Sequence, residues 1–161
     1  MLWFKQTIGH ACGLIGLLHA ISNGGAKSYI LPDSDLDKLL KAAVPLKTKE
    51  RAQLLYDSQE LEAAHMSAAV KGDTFAPSTK DPMGYHFITF VKGDDGHLWE
   101  LNGGMKGPMD RGMLNDDEDA LSEKALNLGV RTFLEKLDEG KEDWGDHLRF
   151  SIVALAPKFD N

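Results

Sequence analysis

The chain has 161 residues, 42% hydrophobic and 27% charged, with a formal net charge of −7. This is enough for one domain, 1–161, with a real core, and it argues against disorder. The acidic balance argues against a nucleic-acid binder, which carries a basic patch, and a single cysteine, Cys12, rules out an internal disulfide and fits a reducing compartment.

Met1–Phe4 is apolar, but Lys5 and Gln6 interrupt it at once, so no signal peptide is read. Ile8–Ser22 follows as a buried helix. Leu14, Leu17, Leu18 and Ile21 recur at helical spacing, and Asn23-Gly24-Gly25 stops it. Its apolar stretch, Ala11–Ile21, is too short to cross a bilayer. The expectation is a soluble cytoplasmic protein with no membrane association, and no motif calls for a cofactor or a metal. Ser34 reads as the N-cap of a second helix, with Asp37 three residues on, running to about Val44. Thr48 is expected to cap a long third helix through Leu54, Leu55, Leu61 and Ala64, ending near Gly72. A loop, DTFAPSTKDPMG, then covers 73–84. It is longer than usual for a helix-to-strand connection, and long loops are often functional.

Tyr85–Lys92 and His97–Asn102 are rich in aromatic and β-branched residues and flank Gly-Asp-Asp-Gly, which predicts a hairpin. Asn115 and the acidic run 116–119 are expected to open another helix, with Leu121, Ala125, Leu128, Phe133 and Leu137 on its core face. Leu148–Ala156 reads as a buried closing strand. Helices first, then strands with one helix between them, favour α+β over a doubly wound sheet.

Cys12 can be a core thiol or a nucleophile. Free cysteine is among the most buried residue types. Yet Cys12 lies near the start of a helix, where unpaired backbone N–H groups favour a thiolate, and Gly9, Ala11 and Gly13 leave room for a substrate backbone. A nucleophile needs a base with an orienting partner. His10 points away from Cys12 on a helix, and His19, two turns on, reads as a packed or partly exposed helix residue. His65 and His147 have no local partner, and His97 sits by the turn.

His86 begins the first hairpin strand and Asn102 ends the second. Pairing centred on Asp94 sets them opposite each other, pairing centred on Asp95 makes them diagonal neighbours on one face, and a register between the two separates them. An Asn oxygen there can fix the imidazole tautomer; a polar residue at each strand end is also common. Gln6, before the helix, can donate to an oxyanion together with the Cys12 N–H. Gln, Cys, His and Asn in that chain order describe a papain-type acyl-transfer site.

The stretch QTIGHACGLIGLLHAISN resembles the nucleophile segment of the ubiquitin C-terminal hydrolase family of cysteine deubiquitinases. YHFITFV followed by GHLWELNGGMKGP resembles its histidine strand and the next one, and FSIVALAP its terminal strand. The resemblance implies a papain-like fold, helices packed on a mainly antiparallel sheet. It implies Cys12 as nucleophile, His86 as general base and acid, Gln6 as oxyanion donor, and Asn102 where the family usually has aspartate. It makes 71–85 the crossover loop over the active site. The implied partner is ubiquitin, or a ubiquitin-like modifier, with a small or flexible C-terminal adduct removed through a thioester. The basic ubiquitin tail would meet an acidic groove, in keeping with the net charge.

Departures from the family pattern are Asn102, His10 where asparagine is common, and Gly104 where arginine is frequent. The family also carries a segment before the QTI motif that supplies a sheet strand; here five residues precede Gln6, which predicts an unpaired sheet edge. A non-catalytic ubiquitin-binding module is therefore the alternative, and a papain-like acyl transferase with another substrate is a third reading.

Overall fold

The computed structural model describes residues 1–73, 85–138 and 150–156. Its elements in chain order are α1 (Cys12–Ile21), a short 3-10 helix (Gly24–Tyr29), α2 (Asp35–Ala43), α3 (Thr48–Asp57), α4 (Gln59–Ala69), β1 (Thr89–Lys92), β2 (His97–Leu101), β3 (Met109–Met113), α5 (Glu123–Leu128) and α6 (Arg131–Asp138). The strands form one antiparallel sheet in the order β1-β2-β3. Helices and sheet segregate along the chain, so the class is α+β.

The α1 helix starts four residues later than the sequence predicts. His10 adopts a left-handed conformation, φ 56°, which a helix cannot accommodate. Cys12 is consequently the first helical residue. The face of α1 carrying Ile15 and Leu18 packs with Phe4, Leu40, Ala43 and Leu55 into the larger core. Of the periodic residues read from the sequence, Leu18 is buried and Leu14 and Ile21 are partly buried against this core, whereas Leu17 is exposed and Ile15 takes the buried position.

Ser34 caps α2 as expected, its hydroxyl accepting the Asp37 N–H at 3.1 Å. The single helix predicted from Thr48 to Gly72 is instead two. Ser58 is extended, with ψ 104°, ends α3 and caps α4 by accepting the Leu61 N–H. Serine competes for backbone donors better than it propagates a helix. Thr48 is not the cap of α3 but its first helical residue, after Lys47. The Glu50 carboxylate accepts the Lys47 N–H at 3.0 Å.

The hairpin pairs Thr89 with Leu101, Phe90 with Glu100 and Val91 with Trp99, a register centred on Asp95. Gly96, with φ 78°, closes the turn. Residues 85–88 lie outside the ladder, so β1 is shorter than the sequence reading. The β3 strand has no counterpart in the sequence reading: MDRGM lacks alternation and contains a glycine. It pairs with β2 through a bulge at Leu98/Trp99. There the Arg111 guanidinium donates to the buried Glu100 carboxylate, Nε to Oε2 at 2.8 Å.

The acidic run 116–119 forms a turn rather than a helix start. Ser122, not Asn115, caps α5, by accepting the Ala125 N–H. Of the predicted core face, Ala125 is buried and Leu128 packs with Leu98 and Leu114. The Phe133 ring meets Phe90 edge-on, while Leu121 is exposed. The side chain of Leu137 lies outside the described residues.

The predicted closing strand is not formed. Residues 150–156 have no strand partner among the described residues, and Phe150, Ile152, Val153 and Leu155 are exposed. Without a ladder to satisfy its backbone, an apolar run is not a strand. Residues 148–149, and 74–84 of the predicted crossover loop, lie outside the described residues.

Candidate active site

The segment 1–6 enters the fold in extended form and is held by side chains. Asn23 Oδ1 accepts the Leu2 N–H at 2.7 Å and its Nδ2 donates to the Leu2 carbonyl at 2.8 Å. His19 Nε2 accepts the Phe4 N–H at 2.9 Å. Arg51 donates to the carbonyls of Trp3, Leu46 and Ala43 at 2.8–3.1 Å, and its guanidinium sits 6.0 Å above the Phe4 ring. His19 is fully buried, and burial pushes its pKa down to about 4, with the backbone of Phe4 and Leu101 offsetting part of the fall. This α1 histidine is a neutral structural acceptor.

These ties deliver Gln6 to the end of the hairpin. Its backbone N–H donates to the Gly103 carbonyl at 2.9 Å, and its side-chain Nε2 reaches the Ile8 carbonyl at 3.3 Å. Gln6 Oε1 is buried and has no hydrogen-bond partner among the described residues. Gly103 is wedged between the two partners of the site. A Cβ there would lie 2.9 Å from both Gln6 Cβ and Ile15 Cγ2.

Cys12 is a free, buried thiol at the first position of α1. Ala11, at the N-cap, offers no side-chain acceptor, so the N-terminal amides of the helix carry no cap. Immediately after Cys12, Gly13 faces the ring of Phe87, 3.6 Å from where its Cβ would be. One turn on, the Gly16 carbonyl accepts the Thr89 hydroxyl at 2.8 Å. The start of α1 thus packs directly against the chain that follows His86.

His86 Nε2 lies 2.8 Å from Asn102 Oδ1. The register centred on Asp95 is the one that makes these residues diagonal neighbours, although His86 itself precedes β1. The Asn102 oxygen also accepts the Gly104 N–H at 2.9 Å. Gln6, Asn102 and His86 are therefore linked through the turn 102–104, and Cys12 enters the cluster through Gly13 and Phe87. Among the described residues, no hydrogen bond joins Cys12 to His86 in this state. Catalytic contacts commonly tighten only when substrate binds. The glycines at 103 and 104 had a visible signal, the Gly-Gly after Asn102, but no sequence rule gave them a partner.

His97 is elsewhere. Its Nδ1 contacts the Asp110 carboxylate at 2.9 and 3.0 Å on the outer sheet face. A surface cleft of about 390 Å³ lies between Lys5, Thr7 and the α3 residues Thr48, Lys49 and Gln53. None of the four predicted site residues lines it. No helix of the described residues is long and apolar enough to cross a membrane.

Comparison with known proteins places this arrangement. The family model for ubiquitin carboxyl-terminal hydrolase, family 1, matches residues 1–135. The chain belongs to that family of cysteine-type ubiquitin hydrolases. It is 36% identical over 153 residues to rat and mouse ubiquitin carboxyl-terminal hydrolase isozyme L1, and 35% identical to the human isozyme; in each case the match covers 95% of this chain. The chain spans 62% of the length of these relatives. The crystal structure of the Trichinella spiralis UCH37 catalytic domain bound to ubiquitin vinyl methyl ester superposes with a TM-score of 0.58 at 22% identity. It covers 85% of this chain and 56% of that one. The fold is therefore the papain-like fold of these hydrolases.

Proposed function

We propose that the protein is a thiol-dependent hydrolase that removes small or flexible adducts from the C-terminal glycine of ubiquitin. The observation that supports this most is the His86–Asn102 pair, seated where Phe87 meets the residue after Cys12. In this reading the Cys12 thiolate attacks the carbonyl carbon of the terminal glycine, and His86 holds the thiol proton. The tetrahedral oxyanion is met by the Cys12 N–H and, after leaving the Ile8 carbonyl, by the Gln6 amide. The bond to the leaving group breaks as His86 protonates it, leaving a thioester. Water then attacks the thioester carbon with His86 taking its proton, and the thiolate departs.

Asn102 orients His86 without lending charge, the division of labour that papain-like sites use with asparagine. Segment 71–85 acts as the crossover loop that limits the leaving group, and the protein works in the cytoplasm. The relatives named isozyme L1 and the fold neighbour bound to a ubiquitin ester support ubiquitin as the partner.

The test is incubation with ubiquitin carrying an electrophilic C-terminus. A covalent adduct is expected with the unaltered chain and none with Cys12→Ala, while His10→Ala still forms one. Binding of ubiquitin without adduct would establish the non-catalytic alternative.

A further inference from the structure

The geometry points to Gly104 as a positioning residue that sets the protonation pattern of His86 through Asn102. The Gly104 N–H can only donate, so the Asn102 atom 2.9 Å from it must be the amide oxygen. That same oxygen faces His86 Nε2 at 2.8 Å. An acceptor on Asn102 requires a donor on the ring, so neutral His86 carries its proton on Nε2 and leaves Nδ1 with a free lone pair. Without the Gly104 amide, the Asn102 side chain can rotate half a turn and present its NH₂ to the ring. His86 would then hold its proton on Nδ1 and could no longer accept one there.

The side chain at 104 matters in the same way. A Cβ would stand 3.2 Å from Asn102 Oδ1, a tight contact, and 3.9 Å from His86 Nε2, an ordinary one, so glycine lets the backbone approach without crowding the Asn102 oxygen. Asparagine makes this contact necessary: an aspartate presents an oxygen in either rotamer, whereas an amide has a wrong face. The inference deepens the hydrolase reading and rests on it for its catalytic meaning.

The experiment reads the His86 ring nitrogens by long-range 1H–15N correlation at alkaline pH, where the ring is neutral and no longer holds the thiol proton, together with exchange of the Gly104 amide at neutral pH. The unaltered chain is expected to show an Nε2–H tautomer and a protected Gly104 amide. Gly104→Pro, which deletes the donor, is expected to populate both tautomers and to slow capture by electrophilic ubiquitin about 10²–10⁴-fold, the scale of a misplaced general base. Asn102→Asp in the Gly104→Pro background restores the Nε2–H pattern.

A folded Gly104→Pro variant with an unchanged His86 spectrum overturns the proposal. If that variant does not fold, the unaltered chain decides: a Gly104 amide exchanging at an open-loop rate, or an Nδ1–H tautomer, overturns it equally. An unaltered chain that shows the Nε2–H tautomer and protected amide but is not captured by ubiquitin refutes the hydrolase reading alone, and supports the role of Gly104.

Discussion

Asn102 Oδ1 lies 2.8 Å from His86 Nε2, across a hairpin whose register makes the two diagonal neighbours. Asn102 is an uncharged partner where the family pattern has a carboxylate. Asn102→Asp places a negative charge beside the ring and favours the imidazolium over the neutral form. If the working state is a thiolate–imidazolium pair, its loss at high pH is delayed. The alkaline limb of the pH profile for ubiquitin capture is expected to move upward in Asn102→Asp. An unmoved limb would mean that Asn102 does not act on His86 in solution.

Burial holds His19 at about 4, against an ordinary value of 6.5. Between these two pH values the unfolded chain binds a proton at this site that the folded chain refuses. Stability therefore rises with pH from about 4 to 6.5 and is fully present above that window. The shift is worth about 3 kcal/mol. Urea unfolding of the unaltered chain and of His19→Gln at pH 7 and pH 4 separates this site from the carboxylates common to both. The unaltered chain should lose about 3 kcal/mol more over that interval.

Arg51 satisfies the carbonyls of Trp3, Leu46 and Ala43 with one guanidinium. Arg51→Met keeps the stem but strands these partly buried acceptors. A loss of about 2–4 kcal/mol is expected in urea unfolding. Arg51→Lys, which offers one point charge instead of a fork, should recover only part of it.

Gly103→Ala drives a methyl to 2.9 Å from both Gln6 and Ile15. Overpacking of this kind costs about 1–3 kcal/mol. Because the displaced atoms include the oxyanion candidate, capture of electrophilic ubiquitin should slow by more than the stability loss implies. Equal capture rates with a measurable fall in stability would show that Gln6 tolerates the shift.

Local chemistry makes α2 readable, because Ser34 and Asp37 are separated by one helical turn, so the Ser34 hydroxyl meets the Asp37 N–H while the Asp37 carboxylate accepts from the Asp33 N–H and Lys41. It failed at α3–α4, where apolar spacing continues across Ser58 while the backbone does not. The helical spacing of Leu14, Leu17, Leu18 and Ile21 places Cys12 near a helix start. That it begins the helix depends on the φ of His10, which no periodicity reports. The hairpin and its two possible one-face registers were legible from turn residues and alternation; choosing between them needed the ladder itself. β3 and the 150–156 segment show the limit from both sides. A poor β-former pairs where Glu100 and Arg111 meet across it, and a good one has no strand partner among the described residues.

Leu2, Phe4 and Gln6 donate their amides to Asn23, His19 and the Gly103 carbonyl. Alternate residues of the same segment are thereby fastened to a helix and to a hairpin turn rather than to a neighbouring strand. The first six residues cannot peel away one hydrogen bond at a time, as an edge strand frays, because each release opens a different element. Their amides should exchange together with those of the α1 core, and a proteolytic cut just after Gln6 should require global opening rather than local fluctuation. A segment bound in this way works as a keystone: releasing it unseats helix and hairpin at once.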